Sequence, residues 1–254
     1  MAKKFEGVLL CSDIDGTMYH KGFIPSNLEA LHYFMSEGGL FTFCTGRRAI
    51  NAPTEIDPNV PIVGMCGSEI YDRATDTMVA QWAFGEEWRQ ITRDLQGRDD
   101  VREVLFESDI AYRYPSNTPE LMEYIDTFTG PIYKIIFFYK EPHREPELIP
   151  NDVRAYCEGK SSVMSNGDSS FEMTALGHDK AGGVLFLKER TGARLLVCAG
   201  DWDGDISMIK AADIGYAVGS ATASVIAAAD RVTVGVKDGA IAQIIRDLEE
   251  ELCK

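Results

Sequence analysis

The chain has 254 residues, 45% of them hydrophobic and 26% charged, a globular composition that excludes disordered and fibrous classes. At this length it folds as one large domain or two modest ones and buries roughly 70–75% of its unfolded surface. Its net charge of −15 repels phosphate backbones and anionic lipid, so nucleic acid and membrane are excluded as partners, and an anionic small substrate needs a metal ion or a few placed cations.

The opening Met1-Ala2-Lys3-Lys4-Phe5 leads into an apolar run of about five residues, too short for a signal-peptide core. No segment reaches the ~18 apolar residues of a membrane span. Cys11, Cys44, Cys66, Cys157, Cys198 and Cys253 form no C-x-x-C pair and no metal-finger spacing, which fits a reduced, cytoplasmic setting. Cys11, Cys44, Cys66 and Cys198 each end an apolar run and read as small core hydrophobes.

In chain order, the apolar runs Val8–Cys11, Leu40–Cys44, Pro61–Cys66, Leu195–Ala199 and Gly215–Val218 lack alternation. That suits parallel strands covered on both faces. Helical stretches lie between them at Leu28–Glu37, after a possible Ser26/Asn27 cap, and at Lys180–Thr191, Ile206–Ala212 and Ala240–Cys253. The predicted fold is α/β, a doubly wound parallel sheet. Between about residue 84 and residue 177 the pattern changes. Strands at Val101–Phe106, Ala111–Tyr114, Tyr133–Tyr139, Ser161–Ser165 and Phe171–Thr174 alternate with helices near Glu86–Gln96, Glu120–Phe128 and Pro150–Glu158. Asn166-Gly167 is a hairpin signal. The chain therefore divides into a sheet domain, 1–83 and 178–254, and an inserted α+β domain, 84–177.

Ser12-Asp13-Ile14-Asp15-Gly16-Thr17 follows the first strand, at the carboxyl edge where open α/β sheets bind ligands. Carboxylates at i and i+2 of an extended chain point to the same side. One can attack phosphorus while the other handles the leaving-group proton, and Gly16 lets backbone amides approach an oxyanion. The bland alternative is a strand-end turn with ordinary capping. Thr45-Gly46-Arg47 after the second strand offers a hydroxyl and an amide to a phosphoryl oxygen, or else caps a helix. Gly200-Asp201-Trp202-Asp203-Gly204-Asp205 after a later strand adds hard oxygen ligands suited to Mg2+, or is an acidic loop. Lys180 opens the helix before that strand and can offset phosphoryl charge, or is a solvated first-turn charge. All four at strand ends make the bland readings untenable together.

This set resembles the haloacid dehalogenase superfamily of phosphohydrolases over essentially the whole chain, and the insertion resembles the C2-type cap of its Cof-like members. The resemblance implies that Asp13 is a nucleophile forming an aspartyl-phosphate. It further implies that Asp15 protonates the leaving oxygen and then activates water, and that Thr45 and Lys180 grip the phosphoryl group. Gly16, Thr17, Gly46 and Arg47 fall at the substrate and phosphate site. Mg2+ is expected on the Asp13 carboxylate, the Asp15 carbonyl and Asp201, with Asp205 in support. The implied activity is a Mg2+-dependent phosphatase acting on a small phosphorylated metabolite, with sugar phosphates among the candidates. A phosphomutase or phosphotransferase is the alternative within enzymes, and a phosphate-binding regulatory protein the alternative outside them. A receiver domain also joins an acidic cluster to Thr and Lys, but typically in about half this length, without the insertion or the paired carboxylates.

Two positions depart from the family pattern: Gly204 stands where Asn usually precedes the final Asp, and Cys66-Gly67-Ser68 stands where an Asn-Gly pair usually opens the third-strand loop. Trp202 either lines the pocket mouth or packs under the cap. His178 is a second-choice acid or base beside Asp15. Arg113, Tyr112, Tyr114, Lys134 and Arg144 either read a substrate's distal part or are solvated and core residues. The residues leave the oligomeric state open.

Overall fold

The structure, a computed structural model, describes residues 3–144 and 148–252. Its elements in chain order begin with β1 (Val8–Ser12), α1 (Pro25–Ser36), β2 (Leu40–Phe43), β3 (Ile62–Gly64), β4 (Glu69–Asp72) and β5 (Thr77–Gln81). The middle of the chain forms α2 (Glu87–Gln96), β6 (Val101–Glu107), β7 (Ala111–Pro115), α3 (Pro119–Thr127), β8 (Lys134–Tyr139), α4 (Asn151–Cys157), β9 (Ser161–Ser165) and β10 (Ser170–Ala175). Then follow α5 (Lys180–Thr191), β11 (Leu195–Gly200), α6 (Ile206–Ala211), β12 (Ile214–Ala217), α7 (Ala223–Ala228), β13 (Arg231–Val232) and α8 (Ala240–Leu252). Cys253, where the sequence suggested the last helix ends, lies outside the described residues. The chain separates into two compact units, Met1–Ala80 with Lys180–Lys254, and Gln81–Asp179.

The first unit holds a parallel sheet in the order β13-β12-β11-β1-β2. Strand alternation sends Val8, Leu10, Phe41, Phe43, Val197 and Ala199 into one core with Leu31 and Phe34 of α1 and Ile241, Ile244, Ile245 and Leu248 of α8. The residues between them, including Leu9, Thr42 and Cys198, are equally buried and face the other way. On that side the Cys44 thiol lies 3.9 Å from the Lys180 carbonyl at the start of α5. Helices thus cover both faces, which is why the strands read as uninterrupted apolar runs.

Two elements differ from expectation here. The Pro61–Cys66 run gives only a three-residue strand. It joins a separate antiparallel sheet, β3-β4-β5, and touches the end of β2 through one parallel bridge, Cys44 to Val63. Of its partner strands, β5 is exposed or half-buried along its length and carries little apolar signal. Helix α1 starts earlier, at Pro25, with Ile24 at its N-cap and no side-chain cap. Proline at the first position removes an amide that would otherwise need one, and the buried Asn27 instead accepts a hydrogen bond from the Ala242 amide at 3.0 Å.

The second unit is an antiparallel sheet in the order β7-β6-β8-β10-β9, with β9 and β10 joined through Asn166-Gly167 and Gly167 at φ 68°. Its core of Trp88, Ile91, Leu95, Phe106, Leu121, Phe137, Phe171 and their neighbours contains no residue of the first unit's core. Lys134 is buried here in an ion pair with Glu172 at 2.8 Å, Arg113 lies over the Phe138 ring at 4.7 Å, and Tyr112 and Tyr114 pack against the core. Arg144 is exposed. His178 stacks on Trp82 with ring centroids 4.7 Å apart, and burial lowers its pKa against the pull of Asp179. No helix among the described residues is long and apolar enough to cross a membrane.

Candidate active site

Parallel pairing places the carboxyl ends of β1, β2 and β11 side by side, with Ser12 opposite both Ala199 and Phe43. The segments that leave these ends carry the polar residues. Strand β1 stops at Ser12, so extended-chain alternation does not place Asp13 and Asp15. The Asp13 amide donates to the Ala199 carbonyl at 3.0 Å, and a turn follows in which the Met18 and Tyr19 amides donate to the Ile14 carbonyl. The two carboxylates consequently take different partners. Asp13 is buried and accepts from Lys180 Nζ at 2.7 Å. Asp15 has 55% of its side chain exposed and accepts from Arg47 through both oxygens, at 2.9 and 2.5 Å.

Lys180 also donates to Asp205 Oδ1 at 2.5 Å. Asp205 Oδ2 accepts the amides of Asp201 and Trp202 at 3.0 and 3.1 Å, so Asp205 shapes the loop while it orients the lysine. Asp13, Asp201 and Asp205 each offer an oxygen within 4.8 Å of the others, a group that could hold a metal ion. Thr17, fully buried, spends its hydroxyl on Asp201 Oδ1 at 2.7 Å. It therefore positions a carboxylate. Gly16, at φ +88°, must be glycine: a Cβ there would fall 2.2 Å from Asp201 Oδ2. Gly200 yields its space to Asp205 in the same way.

With all three ionised, Asp13, Asp201 and Asp205 face a single ammonium, that of Lys180, which would leave two negative charges uncompensated. Burial, reinforced by Asp205 and Asp201 against the opposing Lys180, pushes the Asp13 carboxyl up to about 8. Burial and Asp205 push Asp201 up to about 6. Burial alone would lower the Lys180 ammonium, but Asp13 and Asp205 outweigh it and hold it well above its ordinary value. A divalent cation would bring the group to neutrality, and all-oxygen carboxylate donors suit a hard cation.

Thr45 is buried, and its hydroxyl accepts from the Arg47 amide at 3.2 Å. Gly46 lies between them. Sequence reasoning missed what supports this loop. Met65, Cys66 and Gly67 occupy the left-handed region at φ 45°, 57° and 103°. From there the Met65 amide donates to the Arg47 carbonyl at 2.7 Å and the Cys66 amide to the Thr45 carbonyl at 3.0 Å. The only signal in the chain was the departure at Cys66, where the family's usual Asn tolerates positive φ and cysteine does so poorly. Trp202 is half-buried in the acidic loop.

Carboxylates, a lysine and a hydroxyl gathered at the carboxyl edge of an open parallel sheet lie where doubly wound α/β proteins bind their ligands. The sequence pattern of the haloacid dehalogenase-like hydrolases matches residues 10–245, and the chain belongs to that family. It is 24% identical to the Bacillus subtilis (strain 168) protein YxeH, whose name marks it provisionally as a phosphatase, over 94% of this chain and 97% of that one. Two solved structures share the fold. The phosphatase BT1666 from Bacteroides thetaiotaomicron has a TM-score of 0.76 at 22% identity, over 96% of each chain. The subclass IIB sugar phosphatase BT4131 has a TM-score of 0.75 at 21% identity, over 94% of this chain and 98% of that one.

Proposed function

We propose that this hydrolase is a Mg2+-dependent phosphatase that cleaves a small phosphorylated metabolite through an aspartyl-phosphate on Asp13. The observation that carries the reading is the buried Asp13 carboxylate on Lys180, beside Asp201 and Asp205. A buried carboxylate held by an ammonium is oriented for attack and screened from water. Asp13 and Asp201 would hold the metal ion with the Asp15 carbonyl, Asp205 supporting them, and the ion supplies positive charge to the phosphoryl oxygens.

In the first step an Asp13 oxygen bonds to phosphorus, the bond from phosphorus to the leaving oxygen breaks, and Asp15, in its protonated form and released from Arg47, gives that oxygen its proton. In the second, Asp15 takes a proton from water as the water oxygen attacks phosphorus, and the bond to Asp13 breaks to release orthophosphate. Lys180, the Thr45 hydroxyl and the Gly46 amide would hold the phosphoryl oxygens throughout. The segment 84–177 would act as a specificity cap, and the site would serve a cytoplasmic metabolite pool. Related capped chemistry that returns the phosphoryl group to a sugar is the second reading; it shares every one of these residues.

The test is phosphate release over a panel of phosphorylated metabolites with Mg2+, repeated with EDTA and with Asp13→Asn. Release that needs Mg2+ and Asp13 supports the proposal. Phosphoryl transfer between sugar positions without net release would favour the mutase, and turnover by Asp13→Asn near that of the wild type would overturn the nucleophile.

A further inference from the structure

Thr17 and Asp201 stand at neighbouring strand ends of the first unit, Thr17 past β1 and Asp201 past β11, and the backbone fixes each of them. The Thr17 amide donates to the Ile14 carbonyl at 3.4 Å, and the Asp201 carbonyl accepts from the Thr222 amide at 3.1 Å. Ile14, Thr17 and Met18 are wholly buried, so the Thr17 hydroxyl reaches Asp201 Oδ1 from a rigid seat, at 2.7 Å. The other oxygen of Asp201, Oδ2, lies against Gly16, where no side chain intrudes.

The hydrogen bonds of the three carboxylates ration their oxygens. Asp205 gives Oδ1 to Lys180 and Oδ2 to the amides of Asp201 and Trp202, so both of its oxygens are engaged. Asp13 gives Oδ1 to Lys180 and Asp201 gives Oδ1 to Thr17, which leaves Oδ2 of each as the oxygen for a cation. Two carboxylate oxygens with the Asp15 carbonyl suit Mg2+, which binds through one or two carboxylates and fills an octahedral shell with water and phosphate. They suit Ca2+ poorly, because it gathers about six to eight oxygens and often takes both from one carboxylate.

We propose that Thr17 is a positioning residue that holds Asp201 as a one-oxygen ligand and thereby makes the site select Mg2+ over Ca2+. The inference rests on the metal-dependent reading above and deepens it. Without the hydroxyl, Oδ1 loses its donor and the Asp201 carboxylate is free to turn both oxygens toward an ion. Lys180 still holds Asp13, and Asp205 still serves the loop amides, so the change falls on Asp201 alone. A small ion that demands strict geometry then loses an oriented ligand, while a larger one gains an oxygen. A merely structural role for Thr17 would weaken both ions alike and leave their ratio unmoved.

Calorimetric titration of the full chain with Mg2+ and with Ca2+, at one pH, gives the ratio of Kd for Ca2+ to Kd for Mg2+ in wild type, Thr17→Val and Thr17→Ser. The wild type should favour Mg2+. Thr17→Val, which keeps the outline of the side chain and removes the donor, should lower the ratio by about tenfold or more, and Thr17→Ser should return it to within about twofold of the wild type. Thr17→Cys, whose thiol is a weak donor in the same place, takes the part of the valine variant should that one unfold. A folded variant without the hydroxyl whose ratio stays within about twofold of the wild type, even with both affinities lowered, overturns the inference and leaves the metal site standing. A serine variant that behaves like the valine one does the same, as does a wild type that binds Ca2+ as tightly as Mg2+. A wild type that binds neither ion removes the Mg2+-dependent reading and this inference with it.

Discussion

Lys180 Nζ lies 2.7 Å from Asp13 Oδ1 with both side chains almost wholly buried, and the residues are 167 positions apart in the chain. Replacing the lysine by methionine keeps its volume and leaves the buried carboxylates without their cation. Removing one partner of a buried pair costs about 3–5 kcal/mol. Urea denaturation of Lys180→Met in EDTA should show a loss of that order, and Mg2+ should restore part of it. A stability equal to that of the wild type in EDTA would mean that the buried carboxylates lose their cation without penalty.

The raised carboxyls at Asp13 and Asp201 give a pH dependence with a definite sign. In the unfolded chain such groups ionise near 3.9, so between about pH 4 and 8 the metal-free native state binds more protons than the unfolded one. Their contribution to stability is therefore lost as pH rises through about 6 and then about 8. Metal binding must expel the same protons. Calorimetric titration with Mg2+ should show affinity rising from pH 6 to 8, with a proton release that changes the heat between buffers. Affinity independent of pH across that range would exclude protonated carboxyls in the metal-free site.

Asp15→Asn should slow both protonation of the leaving group and hydrolysis of the intermediate, by roughly 10²–10⁴-fold on ordinary esters. With p-nitrophenyl phosphate the leaving group needs no proton, so the first step should recover and phosphorylated Asp13 should accumulate. Acid-quenched protein analysed by mass spectrometry reads that directly. Equal losses on both ester types with no trapped adduct would remove Asp15 from the role.

Two departures from the family pattern have opposite local settings. Gly204 lies within the 3-10 turn Asp203–Asp205, where asparagine is tolerated, whereas Cys66 has φ 57°, a conformation that asparagine adopts more easily than cysteine. Gly204→Asn should add an amide beside the acidic loop and raise apparent Mg2+ affinity, since supporting hydrogen bonds of this kind are worth about 10–100-fold. Cys66→Asn should relieve backbone strain that costs on the order of 1–3 kcal/mol, offset by the polar group it buries. Weaker Mg2+ binding in Gly204→Asn would show that the loop needs the space that glycine leaves.

Because the two hydrophobic cores share no residue among the described residues, replacing about residues 84–177 by a short linker should leave a folded sheet domain. Circular dichroism and a cooperative melt check the fold. Discrimination among phosphate esters should collapse toward that of bare phosphate binding. An unfolded product would mean that the first unit depends on the inserted one.

The strand-end motifs were readable from the chain because local rules act there. Apolar runs without alternation imply strands covered on both faces, and the change of pattern near residue 84 and back near residue 177 follows from local periodicity. Helix α5 carries the bounds expected of it, Lys180–Thr191, because its ends are marked by local chemistry, with Gly192 past its last turn. What the chain could not show is which partner each polar side chain takes. Asp13 and Asp15 are two residues apart, yet one turns inward to Lys180 and the other outward to Arg47. Thr17 serves Asp201, 184 positions away. Met65, Cys66 and Gly67 hold the Thr45 loop through backbone hydrogen bonds that no side-chain pattern announces. Secondary structure follows from neighbours in sequence, whereas charge compensation and carboxylate orientation depend on groups that only the register of the parallel strands brings together.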